Sequence, residues 1–184
     1  MKIIHSFFIM VFLVSCQERN QKEIDLSGNW QSLSDGVDDI YTEFYFHDDT
    51  LERFNVDWGL LPYSKFEIRG DSLLTKIHYK IQLEDERSIN LISETDTIQL
   101  IKLITENRTI EDLLNEGYFD KDLSDSIHRK ELELFVNESF RIRELQLKFD
   151  KGILNKDSLL YFWKSQLETD KDFYLPLVEE FVDK

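Results

Sequence analysis

A single cysteine, Cys16, in 184 residues leaves no disulfide to be formed within the chain, and it removes thiol catalysis and cysteine metal clusters from everything that follows it. Glycine is scarce and scattered: Gly28, Gly36, Gly59, Gly70, Gly117 and Gly152 never cluster into a phosphate-cradling loop. Neither a Gly-x-Ser-x-Gly elbow nor a His-Glu-x-x-His helix is present, so the familiar NTPase and hydrolase classes lack their residues. Positive charge is short as well. With 22 Lys and Arg against 37 Asp and Glu, formal net charge −15, no nucleic-acid partner is expected, because phosphate binding needs a basic surface. No apolar run reaches the roughly 20 residues of a spanning helix.

What is present begins with a leader. Lys2 precedes Phe7 to Val14, a stretch without charge, and Leu13-Val14-Ser15-Cys16 closes it. This resembles the lipobox of bacterial lipoprotein signal peptides. The resemblance implies that residues 1–15 are a signal peptide, that Cys16 is the lipid-attachment residue, and that two or three acyl chains hold the protein on a bilayer. It places the protein in the cell envelope, facing the periplasm or the exterior, with the outer membrane favoured. An ordinary secretory leader with an incidental cysteine is the alternative, and both readings export the chain. Residues 16–24 then form the acylated cysteine and a polar tether. At about 3.3 Å per extended residue, Gln17 to Glu23 reaches roughly 20 Å. Loss of Lys2 with the leader takes the side-chain charge from −15 to −16, which argues against the body lying flat on anionic lipid.

The full chain carries 14 Phe, 7 Tyr and 3 Trp, all but Phe7, Phe8 and Phe12 beyond the leader, enough large apolar groups for one good core, and its periodicity divides near Ile104. Before that point the period is two. Thr42, Phe44 and Phe46 alternate with Tyr41, Glu43, Tyr45 and His47, and Phe54, Val56 and Trp58 alternate with Arg53, Asn55 and Asp57. Asp48-Asp49 has hairpin-turn chemistry, and Gly70-Asp71 separates Phe66 and Ile68 from Leu73 to Ile77. Tyr79, Ile81 and Leu83, then Ile89 and Leu91, then Ile98 and Leu100 continue the series. The pattern predicts seven or eight short strands in an antiparallel meander that closes as a barrel or strongly curled sheet over residues 25–104.

Leu26-Ser27-Gly28-Asn29-Trp30, followed by Tyr41-Thr42-Glu43-Phe44-Tyr45-Phe46, resembles the lipocalin-like domain of small bacterial lipoproteins of the Bacteroidetes type. The resemblance implies that Gly28 lets the chain enter the barrel tightly and that Trp30 plugs its closed end, under Lys102 or Arg108. It also implies a small apolar ligand, whose pocket wall would be Phe44, Phe46, Phe54, Trp58 and Phe66. Strands this short make a barrel just wide enough for one small ligand or for its own side chains, so a dry core filled by those same aromatics is the competing expectation.

Residues 105–184 read as a helical C-terminal region packed on the barrel. Thr109-Ile110-Glu111-Asp112 resembles a helix start and Gly117 a stop. Neither Gly nor Pro interrupts Leu123 to Lys151, and Gly152 suits its C-cap. On that helix Ile127, Leu134, Phe135, Ile142, Leu145 and Phe149 fall near one face, and Leu132, Val136, Phe140 and Leu147 on the opposite one. Such a helix needs two partners: the sheet, and a helix from Asp157 to Glu168, with Pro176 opening a final helix. A homodimer interface is the other way to cover it. A rival reading takes residues 132–136 and 145–149 as two further strands.

The polar residues point to no reaction. Glu43, Tyr45 and His47 share a strand face with Asp49 close by, a geometry for a divalent ion or acid–base work, but a solvated polar face is the preferred reading. His78 and His128 read as structural, the acidic turns lack calcium-loop spacing, and neither metal nor cofactor is expected. Five triplets, Asp49-Thr50-Leu51, Asp71-Ser72-Leu73, Asp96-Thr97-Ile98, Asp125-Ser126-Ile127 and Asp157-Ser158-Leu159, resemble the O-glycosylation acceptor of exported Bacteroidetes proteins, with Ser72 and Thr97 as acceptors. Turns and capped helix starts look the same. Two functional readings remain open: a lipid-anchored carrier of a small apolar ligand, and a non-enzymatic accessory subunit that docks an envelope protein through its helical region.

Overall fold

The computed structural model describes residues 24–34, 40–105, 107–119, 130, 132–168 and 170–182. The leader, Cys16 and the tether to Glu23 lie outside them, as do the Asp125-Ser126-Ile127 triplet and His128. Among the described residues one sheet holds nine strands: β1 (Gly28–Leu33), β2 (Tyr41–His47), β3 (Thr50–Asn55), β4 (Gly59–Lys65), β5 (Glu67–Arg69), β6 (Ser72–Leu74), β7 (His78–Leu83), β8 (Ser88–Ile92) and β9 (Thr97–Lys102). Every neighbouring pair is antiparallel, in the order β4-β3-β2-β1-β9-β8-β7-β6-β5. The predicted meander is therefore present as a nearly closed barrel, with β1 paired to β9.

The expected count of seven or eight strands omitted β4. Its Pro62 argues against a strand interior but is compatible with an edge or a bulge, and β4 supplies both. It is the last strand on its side of the sheet, and Pro62 with Tyr63 together oppose Glu52, between the pairs Arg53↔Leu61 and Leu51↔Ser64.

The closure follows from strand direction. Nine alternating strands leave the first and the last, β4 and β5, running the same way, and only Phe66 separates them in the chain. Residues 59–69 are thus one bent strand. Its first half hydrogen-bonds to β3, its second half to β6, and at the joint the Phe66 N–H donates to the Asp49 carbonyl at 2.9 Å. One end of the barrel is sealed by this crossing. Towards the other end the outer edge of β4 has no strand beside it.

Inside the barrel, Leu26, Trp30, Phe44, Phe46, Leu73, Leu91 and Leu100 form one core. Outside it, the helical region covers β1, β2 and β3. The capped helix α1 (Ile110–Asn115) runs from Thr109, whose N–H donates to Asp112 Oδ2 at 2.7 Å, and Gly117 follows with φ +67°. A π-helical segment (Phe135–Phe140) continues into α2 (Arg141–Asp150), followed by α3 (Lys156–Gln166) and α4 (Lys171–Val182). The rival strands at residues 132–136 and 145–149 are excluded, since both stretches are helical.

The long helix does have two partners. Phe135, Phe140 and Leu147 pack with Tyr41 and Phe54 on the sheet, while Ile142, Leu145 and Phe149 pack with Leu159, Trp163, Tyr174 and Val178 of α3 and α4. Phe135 changes sides relative to the expected faces. The π-helical turns, where the Arg141 N–H reaches back to the Val136 carbonyl, advance the helix phase between the two stretches. The final helix also begins earlier than expected: Pro176 stands inside α4, because Tyr174, two residues before it, is already buried against α3.

Candidate functional site

The split beside β4 opens a slot of about 320 Å³ into the barrel. Leu61, Pro62, Tyr63 and Ser64 of β4 form one wall, and Thr75, Lys76 and Ile77, the turn between β6 and β7, form the other. Its floor is the barrel interior: Phe44, Phe46, Leu51, Leu73, Leu91 and Ile98, with Arg53 and Tyr79 at its sides. Tyr63 and Ile77 at the mouth are 63 % and 52 % exposed, so the rim mixes these apolar groups with Ser64, Thr75 and Lys76. The volume is at the low end of small-molecule sites.

The expected pocket wall divides. Phe44 and Phe46 line the slot, and Phe66 supports it from below, edge-on to Phe46 at 5.3 Å between ring centres. Phe54 does not line it. The two-residue Asp48-Asp49 turn, with Asp48 at φ +49°, pairs His47 with Thr50 and therefore Glu43 with Phe54 and Phe44 with Arg53. Directly paired residues share a face, so Arg53 enters the barrel and Phe54 points out of it, onto Phe135 and Phe140. Trp58 is not in the slot either. The chain leaves β3 at Asn55, whose Oδ1 accepts from the Trp58 N–H at 2.9 Å, and the indole is 65 % exposed beside a separate depression.

Trp30, Gly28 and Lys102 lie together at the start of β1. Trp30 is buried, its Nε1 donates to the Leu26 carbonyl at 2.7 Å, and Lys102 Nζ lies 4.8 Å from the ring centre. Lys102 also donates to the Ser27 carbonyl. Of the two covers considered, Lys102 takes the position, and Arg108 lies over Tyr118 instead. Gly28, at φ +97°, adopts a backbone that L side chains rarely adopt, and a Cβ there would stand 3.4 Å from Lys102 Nζ. Trp30 thus belongs to the barrel core and does not line the slot.

On the supposed solvated face of β2 the helices cover Glu43 and partly cover Tyr45, which corrects the expectation there, while His47 and Asp49 keep contact with solvent. Glu43 is fully buried, accepts from Arg143 Nε of α2 at 2.7 Å, and lies 2.9 Å from the Tyr41 hydroxyl. Arg143 Nη1 donates in turn to the Arg108 carbonyl. Burial holds the Glu43 carboxyl above the ordinary carboxylate range, with the Arg143 guanidinium and Tyr41 pulling it back, while Glu43 helps hold the Arg143 pKa up against desolvation. Next to this pair, Glu111 of α1 accepts from Tyr45 at 3.0 Å and from Asn29 Nδ2 at 2.7 Å. These groups tie helix to sheet; His47, stacked on Tyr45, faces Glu52 at 4.0 Å. No cluster of three metal-ligating side chains exists among the described residues.

Two findings bear on the remaining expectations. The stripe of Phe140 and Leu147 is buried against the sheet, with Leu132 and Val136 packed beside it. No described helix is long and apolar enough to cross a membrane. Comparison of the chain with protein-family models, curated proteins and solved structures finds no match.

Proposed function

We propose that the protein takes up one small, mainly apolar molecule through the slot between β4 and the β6–β7 turn, and that Cys16 holds it on an envelope membrane while it does so. The observation that carries the first part is the contact of this opening with the barrel core at Phe44, Phe46, Leu73 and Leu91. An opening of about 320 Å³ is of a size for one small ligand. The second part rests on Leu13-Val14-Ser15-Cys16. The accessory-subunit reading has no comparable support, since the stripe it relies on packs on the sheet.

Native and denaturing mass spectra of the purified chain, after exposure to a lipid and metabolite extract, test the reading. One bound small molecule per chain, released on denaturation and absent from Ser64→Trp, is the expected result. An empty chain, or uptake that a tryptophan in the β4 wall leaves untouched, overturns it. A mass at Cys16 beyond the peptide's own, lost in Cys16→Ala, checks the anchor separately.

A further inference from the structure

Arg53 is the unusual group in the slot. It is half-buried on the inner face of β3, opposite Phe44 and Leu61, and its Nε is buried without a hydrogen-bond partner. Among the described residues it forms no ion pair, although acidic residues far outnumber basic ones in the chain. A guanidinium cannot escape by losing its proton, so an unsatisfied buried nitrogen there is destabilising. The protein's overall negative field makes stray anions poor company for it. What relieves the cost is a planar anion that meets the guanidinium fork.

The surroundings define the rest of the partner. Tyr79 lines the same slot, and its hydroxyl feels Arg53. Burial raises the pKa of that hydroxyl, so it keeps its proton and can donate. The Asp96 carboxylate also influences Tyr79, but its Oδ1 accepts from the Thr97 N–H at 2.8 Å. Lys76 stands at the exposed rim, and below lie Phe44, Phe46, Leu73 and Leu91. One inner cation with a hydroxyl beside it, above an apolar floor and below a second cation at the rim, matches an amphiphile with an anionic end.

Building on the uptake reading above, we infer that the ligand is an anionic amphiphile, its carboxylate or similar planar head bound by Arg53 and Tyr79 and its apolar body lying on Phe44 and Phe46. Head and tail are then recognised by different residues. The head sets preference, and the tail sets most of the affinity.

Isothermal titration of the whole chain with straight-chain carboxylates of eight to fourteen carbons, and with the matching neutral alcohols, tests this. Wild type should bind the best carboxylate about tenfold more tightly than its alcohol. Arg53→Met should erase that preference while still binding the alcohol, which also certifies that the variant is folded. Tyr79→Phe should reduce the preference without abolishing it. If alcohol and carboxylate bind wild type equally, or if Arg53→Met keeps the preference, the anionic head is wrong and the uptake reading stands. If no member of either series binds, both fall together.

Discussion

The β2–β3 hairpin has an arginine on each face, and the two are treated differently. On the outer face Arg143, reaching in from α2, meets Glu43 at 2.7 Å and a backbone carbonyl at 2.9 Å, under a lid of phenylalanines. On the inner face Arg53 stands among apolar side chains without an acid. A buried charge with its counter-charge supplied by the same chain is part of the fold: it fixes where α2 sits on β2. A half-buried charge without one is not fixed by the fold in that way. The two arginines differ both in burial, Arg143 being the more enclosed, and in what each faces.

Breaking the outer pair should cost most. Arg143→Ala leaves Glu43 charged and enclosed, and urea denaturation should register a loss of about 3–5 kcal/mol. The double variant Glu43→Leu with Arg143→Met should recover most of that, because Glu43 Oε2 and Arg143 Nη2 already lack partners among the described residues and the pair is not fully satisfied. A double variant as unstable as the single one would mean that the charges are needed in themselves.

Phe54→Ala should come next, at about 3 kcal/mol, since it removes the ring that Phe135 and Phe140 both contact. Ligand uptake should survive it, because Phe54 is on the helix side. Loss of binding in folded Phe54→Ala protein would contradict the division of faces.

A smaller effect depends on pH. Partial burial and the hydrogen bond to Glu111 push the Tyr45 hydroxyl up to about 12, above the value near 10 in an unfolded chain. The fold holds this proton more tightly, so the contribution is complete below pH 10 and is lost as pH rises through about 12. The drop in melting temperature between pH 9 and pH 12 should therefore shrink in Tyr45→Phe; an unchanged drop would remove Glu111 as its cause.

The smallest change is expected at the inner arginine. Arg53→Met should leave stability within about 0.5 kcal/mol of wild type, or raise it, since no internal bond is lost. A loss comparable to that of Arg143→Ala would mean that Arg53 has a structural partner after all, and the contrast between the faces would disappear.

Much of this was legible in the residues. Alternation from Tyr41 to Leu100 carried the meander, Gly28-x-Trp30 marked the first strand, and Thr109, Gly117 and Gly152 marked helix ends at their correct places. The orientation of Phe54 was also there to be read. A two-residue turn at Asp48-Asp49 makes partner numbers sum to a constant, which puts Phe54 opposite the polar Glu43 and Arg53 opposite Phe44. Alternation alone cannot decide between faces when both are buried, and here the helices bury the outer one. The phase shift at Phe135–Phe140 was not legible, because a π-helical insertion leaves no compositional mark. Nor was the shared strand of residues 59–69, whose two halves pair with strands distant in the sheet order.

Pro62 sits in the middle of β4's free edge, the stretch that opens the slot, and an unpaired edge is where a second molecule would add its own strand. With no N–H at Pro62 and a bulge that throws Tyr63 outward, the edge offers an interrupted row of donors and a bent line. The same residue that obscures β4 in the sequence thus guards against the sheet growing from one chain into the next.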